Sequence, residues 1–520
     1  MIDWEHWIFE VLAIAHTLLL LVLVAYILTR QKNYGVAIAW IAILALMPFL
    51  GVVLYLIFGR AYISRHYGQR NKKAQNLLSD FAKRQDINLG SDEHLAKLND
   101  DWQALAKMGE ANTGFGVQGN HTATLLATPD AIFDAILADI HTAKKSIMLS
   151  FYIIHPQGRV LEIIDALLSA QARGVACVVL ADSVGSGGFF RSKSYKSLIN
   201  QGIRVEELLP VGLFKTVVAR ADVRNHRKII CIDEDIGYTG SFNLVDPRFF
   251  KAKSGVGQWI DVMIRTTHKH DVGVIKAMLT TIATDLSAQT SDNLSNLKQV
   301  IGTYTKKFPL PKNRLTNTRQ PIDNKHQFHF DSVHNVVMQF LPSAPELSGH
   351  LVYETIISAI YNAKKSIIIT TPYFVPDEPL MLALTSSARR GVDITLIMPT
   401  VNDSKLVKYA SQANFQPLLE AGIRLALYRE GLLHSKILLI DDVYALFGTV
   451  NMDMRSFYLN MEVTLAIYRT DDGFGLIDEI AQLQQQYLSH CDFISMSDWQ
   501  NRKLYQQVRD GAVRLISPLL

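Results

Sequence analysis

The sequence predicts an α/β protein in which one α/β lobe occurs twice, preceded by a two-helix transmembrane hairpin. Three observations carry this. Two long apolar stretches fill the first sixty residues. Several short phrases recur about 220 residues apart. Within each recurring half, helical and strand patterns alternate. At 520 residues the chain exceeds one ordinary domain and implies about three units. Its charge is nearly balanced at +4, which argues against a dedicated nucleic-acid binder. Its mean hydropathy of +0.12 points to a membrane.

The hairpin comes first, over residues 1–60. Residues 11–29 contain no charged residue apart from the titratable His16, and residues 36–58 contain none. Each stretch is long enough to cross ~30 Å of hydrocarbon. A cleaved signal peptide does not fit, because Asp3, Glu5 and Glu10 replace a basic start and a second apolar stretch follows at once. Pro48 predicts a kink in the second span. Arg30 and Lys32 lie between the spans, and the denser group Arg60, Arg65, Arg70, Lys72 and Lys73 follows them. That bias places the N-terminus and everything after residue 60 in the cytoplasm. The expected location is the cytoplasmic membrane, with the bilayer itself as a partner.

Residues 61–110 are polar and helix-prone and read as a connector. The first lobe is expected over 111–285, a linker rich in Ser, Thr, Asn, Lys and Pro over 286–335, and the second lobe over 336–490. The tail, 491–520, mixes apolar and basic residues at helical spacing, so docking on the protein and lying on the membrane are both open to it. AKKSI occurs at 143–147 and 363–367, RGV at 173–175 and 390–392, and GIR at 202–204 and 422–424. Helices are predicted over 131–143 and 352–363, then strands over 146–154 and 366–373. Helices over 160–173 and 380–390 follow, then strands over 176–181 and 393–398. Cys177 and Cys231 sit in strand-like runs and read as buried thiols, and Cys491 completes a sparse set of three.

The chemistry sits in a motif that appears twice. His226, Lys228 and Asp233 are followed by Gly240, Ser241 and Asn243. His434, Lys436 and Asp441 are followed by Gly448, Thr449 and Asn451 at the same spacing. A lone H-x-K would be a weak signal, whereas two copies at one spacing are a strong one. Residues two apart on a strand share a face, so each His projects with its Lys. Asp233 and Asp441, at odd offsets, point to the opposite face and brace the motif. Ser241 with Asn243, and Thr449 with Asn451, share a face of the following strand.

Two imidazoles, two ammoniums and two carboxamides suit a phosphodiester. One imidazole attacks phosphorus and the other serves as acid and base for the alkoxide. The lysines and asparagines hold charge on the non-bridging oxygens. The scheme needs no metal or other cofactor, and a Lys beside each His disfavours a metal site. One motif per lobe puts the site where the lobes meet. Asp261 and Glu462 lie in strand-like apolar runs, where a carboxylate is costly unless paired. An imidazole N–H is the natural partner, and a structural salt bridge is the alternative.

The duplicated motif resembles the H-K-D signature of the phospholipase D superfamily. GVGQWID (255–261), TTPYFVP (370–376), GLLHSK (431–436), GTVNMDMRS (448–456) and the terminal SPLL are similar to the bacterial cardiolipin synthases that couple two phosphatidylglycerols. The resemblance covers nearly the whole chain. It implies a two-lobed phospholipase D-like fold, phosphatidylglycerol as donor and acceptor, and cardiolipin with glycerol as products of a reversible phosphatidyl transfer. It also implies a phosphatidyl-histidine formed on His226, with His434 doing the acid–base work. Asp261 and Glu462 would orient the histidines, in the family each across to the other lobe.

Overall fold

The computed structural model describes residues 4–30, 34–55, 92–211, 223–268, 273–290, 330–345, 350–470 and 474–516. The N-terminal helix Trp4–Arg30 contains an unbroken apolar window, Glu10–Thr29, long enough to cross a membrane. The second apolar stretch forms helix Tyr34–Leu46, breaks at Met47 (φ −135°, ψ 67°) and resumes as Pro48–Leu54. Proline fits the first turn of a helix, where its missing N–H costs nothing, so Pro48 starts a new helix instead of bending one. Leu23 and Ile27 pack against Trp40, Leu44, Val52 and Tyr55, which folds the two apolar segments onto each other. Only the first is a span by length alone, and residues 56–58 of the second lie outside the described residues. So do the cations 60–73 that set the expected orientation.

Strands β1 (Gln118–Leu126), β2 (Ser146–Phe151), β3 (Ala176–Asp182), β4 (Arg204–Leu208), β5 (Ile229–Ile232), β6 (Ile236–Gly240), β7 (Trp259–Ile260) and β8 (Met263–Thr267) belong to the first half. The second half supplies β9 (Ser332–Ser343), β10 (Ser366–Thr370), β11 (Phe374–Val375), β12 (Asp393–Pro399), β13 (Arg424–Tyr428) and β14 (Leu432–Leu433). It continues with β15 (Ile437–Ile440), β16 (Tyr444–Gly448), β17 (Met452–Asp453), β18 (Glu462–Tyr468) and β19 (Cys491–Phe493). Fifteen of these form one sheet, ordered β19-β13-β12-β10-β15-β16-β18-β9-β1-β8-β6-β5-β2-β3-β4. Outward from the antiparallel β1–β9 pair the order repeats in both directions as far as β4 and β13, and β19 is added beyond β13 in the second half alone. The halves therefore share a sheet as well as a sequence pattern.

Alternate residues of the strands feed two opposite layers. Ile147, Leu149, Cys177, Val179 and Ile230 face helices Pro129–Thr142 and Val160–Ala172. Met148, Val178, Leu180 and Ile229 face helix Val274–Thr290, in a core that continues through Phe447, Leu465 and helix Leu476–Ser489 of the second half. Chain entry into the helices is locally encoded. Thr128 caps Pro129–Thr142 by accepting from Ala131 N, and Asp377 caps Glu378–Arg389 by accepting from Leu380 N, each with a proline in the first turn.

The recurring phrases hold the frame. Asp233 accepts from the backbone N–H groups of Lys144, Lys145 and Ser146 at 2.7, 2.7 and 3.0 Å. Asp441 accepts from Lys364, Lys365 and Ser366 at 2.8, 2.7 and 2.7 Å. The arginine of each RGV reaches back to the end of the preceding helix, Arg173 to Ile140 O and Arg390 to Tyr361 O.

Some boundaries differ from the sequence expectation. Helix Asp100–Thr113 begins in the segment read as a connector and runs past its expected end at residue 110. Asn99 caps it, and Trp102 stacks on Tyr444 of the second half at 4.4 Å. Its apolar stripe Trp102, Leu105 and Ala106 has to be buried, and the second half supplies the surface. The segment expected as linker overlaps helix Val274–Thr290 and strand β9 at its ends. Its middle, 291–329, lies outside the described residues, as does the terminal SPLL. The tail forms helix Leu504–Ile516, packed on helix Lys405–Gln412.

Candidate active site

Each H-x-K enters its strand from a short inter-lobe pairing. Leu432 and Leu433 pair in parallel with Trp259 and Ile260, and Asn225 bridges to Met461. The residue after each bridge belongs to the motif or to its acidic partner: His434 beside Asp261, and His226 beside Glu462. His226 N donates to Met461 O and His434 N donates to Ile260 O, both at 2.9 Å. Backbone pairing alone thus carries each histidine to the carboxylate of the other lobe.

The side chains complete the contact. His226 Nδ1 lies 2.8 Å from Glu462 Oε2, and His434 Nδ1 lies 2.6 Å from Asp261 Oδ1. A carboxylate on Nδ1 fixes that atom as the N–H, so Nε2 carries the lone pair. Ser241 Oγ donates to Asp261 Oδ1 at 2.6 Å, and Thr449 Oγ1 donates to Glu462 Oε2. Both hydroxyls lie just past the ends of β6 and β16, where Gly240 and Gly448 pass so close to the next strand that an added Cβ would sit 2.3 Å from a carbonyl oxygen. Ser241 and Thr449, read from the sequence as phosphate-binding or supporting residues, thus each donate to the carboxylate that meets a histidine.

Lys228 Nζ donates to its own His226 O at 2.7 Å, and Lys436 Nζ to His434 O at 2.5 Å. Asn243 Oδ1 accepts from Ile153 N at 3.2 Å, which leaves its amide N–H₂ as the group to offer an anion, and Asn451 is buried at the matching position of the other lobe. Asp233 and Asp441 sit at the far end of β5 and β15, bound to backbone as described above.

Burial dominates the electrostatics. It pushes His226 and His434 down to about 4, against the pull of Glu462 and Asp261. It pushes Lys228 down to about 8 and Lys436 to about 7. Burial opposes ionisation of Asp261 and Glu462 as well, yet the imidazole and ammonium beside each hold it below the ordinary carboxylate range. Each histidine also feels the lysine of the other motif. Both motifs thus contribute to one field.

Several residues here carry no motif signal. Trp259 lies over the His434 ring at 4.4 Å, while Tyr152 meets the His226 ring edge-on at 5.1 Å. Beneath His226 is a buried charged layer: Arg224 with Asp182, and Arg227 with Asp285, which also accepts from Asn225 Nδ2 at 3.1 Å. The corresponding positions below His434 are Leu432, Leu433 and Ser435. A charge layer of this kind announces itself only as scattered Asp and Arg in apolar runs. Among the described residues, no group of three or more His, Cys, Asp or Glu is arranged to hold a metal ion.

Comparison with known proteins places this geometry in a family. A family model described as "Cardiolipin synthase, PLD-like domain" matches residues 136–255 and 356–491. Cardiolipin synthase A of Serratia proteamaculans (strain 568) is 36% identical over 499 residues, 95% of this chain and 95% of its own. The chain belongs to the cardiolipin synthase family. A second member, cardiolipin synthase A of Yersinia pestis, is 36% identical over 500 residues, again 95% of each chain. A model described as "Phospholipase_D-nuclease N-terminal" matches 18–60, the apolar segments. Among solved structures, phosphatidylserine synthase of Haemophilus influenzae Rd KW20 superposes with a TM-score of 0.57 at 16% identity, over 81% of this chain and all of the other. The fold of this cardiolipin synthase family member is therefore phospholipase D-like and two-lobed.

Proposed function

We propose that the protein is a membrane-anchored phosphatidyltransferase that makes cardiolipin and glycerol from two phosphatidylglycerols. The observation that supports it most is the crossed pairing, in which each histidine is held at Nδ1 by the acid of the other lobe. That arrangement leaves two Nε2 atoms for phosphorus and for the alkoxide. His226 Nε2 attacks phosphorus, and the bond from phosphorus to the glycerol oxygen breaks. His434, neutral in the empty site and protonated once the anionic phosphodiester is bound beside it, gives that proton to the departing oxygen. The terminal hydroxyl of a second phosphatidylglycerol then returns a proton to His434 and attacks phosphorus, and the P–N bond breaks. Assignment of attack to the first motif follows the family resemblance.

Lys228, Lys436, Asn243 and Asn451 hold the non-bridging oxygens, while Asp261, Glu462, Ser241 and Thr449 orient the histidines. Asp233 and Asp441 brace the strands. One phosphodiester is exchanged for another, so no nucleotide or metal enters the scheme and reversal is expected. The two apolar segments form a hairpin that leaves the catalytic lobes in the cytoplasm. The test is to supply pure phosphatidylglycerol in mixed micelles and resolve the products. Cardiolipin with glycerol supports the reading, whereas phosphatidic acid alone makes the protein a hydrolase.

A further inference from the structure

The C-terminal helix Leu504–Ile516 is turned inside out relative to an ordinary surface helix. Its polar side faces the protein: Asp510 is buried and takes Arg502 and Arg509 at 2.7 Å each. Arg509 also lies 3.7 Å from the Tyr409 ring centre, and Arg502 lies 3.3 Å from that of Trp499. Its apolar side faces out. Leu504, Tyr505 and Val508 are 75%, 62% and 62% exposed, and Ala512 continues the same stripe. An amphipathic helix in water buries the apolar face. Here Arg509, on the ring of Tyr409 and bonded to Gln412 Oε1 at 3.4 Å, holds the helix on Lys405–Gln412 with the apolar stripe outward, ready for an apolar partner.

We propose that this helix is an interfacial membrane-docking element, seating the catalytic lobes on the bilayer that holds the N-terminal helix. Three features select lipid as the partner. The chain carries a helix long and apolar enough to cross a membrane, which would tether the lobes to a bilayer. The described exposed residues between 503 and 514 include Lys503 and Arg514 and no acid, which suits anionic headgroups. The supporting helix Lys405–Gln412 adds exposed Lys405 and Leu406. That helix also ties the surface to the site. It starts next to Asp403, which accepts from Tyr373 at 2.7 Å and pairs with Lys251 at 2.9 Å, and Lys251 lies 5.4 Å from the Trp259 ring that covers His434. The inference rests on the proposed use of lipid substrates only for its effect on activity. The docking itself is a separate claim.

The full chain, with its three cysteines replaced, is labelled with an environment-sensitive fluorophore at single cysteines replacing Tyr505, Val508 or, as a control at the far end of the sheet, Lys144. It is reconstituted in nanodiscs of phosphatidylcholine and phosphatidylglycerol. Quenching of the 505 and 508 probes by a lipid carrying a shallow nitroxide, with shielding from iodide, is expected. The 144 probe should behave in the reverse way. Shielding from iodide without lipid quenching would assign the stripe to a protein partner and overturn the proposal, as would free access of iodide. In a second arm, the variant L504Q/Y505Q/V508Q should keep its thermal midpoint and its activity on micellar phosphatidylglycerol while losing several-fold on bilayer phosphatidylglycerol. Equal activity in both formats rejects the docking role. Wild-type protein that makes no cardiolipin in micelles rejects the functional reading and leaves the quenching result to stand by itself.

Discussion

Asp233 and Asp441 hold left-handed backbone (φ +53° and +54°), and each gathers three backbone N–H groups. Asn tolerates that conformation but lacks the charge, so Asp→Asn isolates the carboxylate's contribution. A loss on the order of 1–2 kcal/mol per site is expected, since hydrogen bonds to charged groups are among the stronger ones. The folded fraction should keep measurable activity, while Lys228→Ala or Lys436→Ala should remove activity and leave the melting temperature in place. Chemical denaturation beside single-turnover assays decides it, and a stable but inactive Asp233→Asn overturns the bracing role. The lysines also predict a pH profile. Burial lowers them to about 8 and about 7, so their phosphate-holding form is present below those values and lost above. On this basis kcat/KM falls as pH rises through 7 to 8. The bound phosphate favours the charged lysines, so the limb for kcat lies higher. Lys436→Arg, where active, should move the limb in kcat/KM upward; a wild-type profile flat to pH 9 contradicts the assignment.

At the scale of elements, helix Val274–Thr290 delivers Asp285 into the layer beneath His226. Asp285 is fully buried and bonds both Arg227 and Asn225, while Arg227 also donates to Glu462 O and Ser343 O. Asp285→Ala strands a buried guanidinium and should cost ~3–5 kcal/mol, read by equilibrium unfolding. A loss below ~1 kcal/mol would mean that Arg227 finds another partner or water. Local pattern made much of this architecture legible. The helix expected over 160–173 spans Val160–Ala172, and the strand expected over 176–181 spans Ala176–Asp182. The H-x-K spacing marked the residues that the fold gathers, each histidine lying near the lysine of the other motif. What stayed hidden depends on partners distant in sequence. Periodicity alone cannot reveal that β1 meets β9, that Trp102 stacks on Tyr444, or that the tail helix turns its charges inward. Nor does Asp285 differ in sequence from any other acid on a helix.

Over the whole molecule, the two motifs stand or fall together. His226→Ala and His434→Ala should each abolish cardiolipin formation, with the double variant hardly worse than either, because groups acting as one unit are non-additive. Half-activity in each single variant would indicate two separate sites. Topology has its own test. In a cysteine-free background, a cysteine at position 33 should react with an impermeant thiol reagent added outside intact cells, and one at position 90 should not. The opposite pattern places the lobes on the outer face.

The crossed pairing also has a genetic consequence. A chain whose halves repeat each other around β1–β9 is built like a homodimer joined end to end. In a true homodimer every substitution appears twice, so the two histidines would be condemned to identical surroundings. Joining the halves frees each copy to change alone, and the chain shows that freedom: Arg224, Asn225 and Arg227 precede and follow one histidine where Leu432, Leu433 and Ser435 flank the other. Fusion supplies the means for two equal imidazoles to become unequal. The exchange of acids keeps them from parting, since the carboxylate of each half is hydrogen-bonded to the histidine of its sibling.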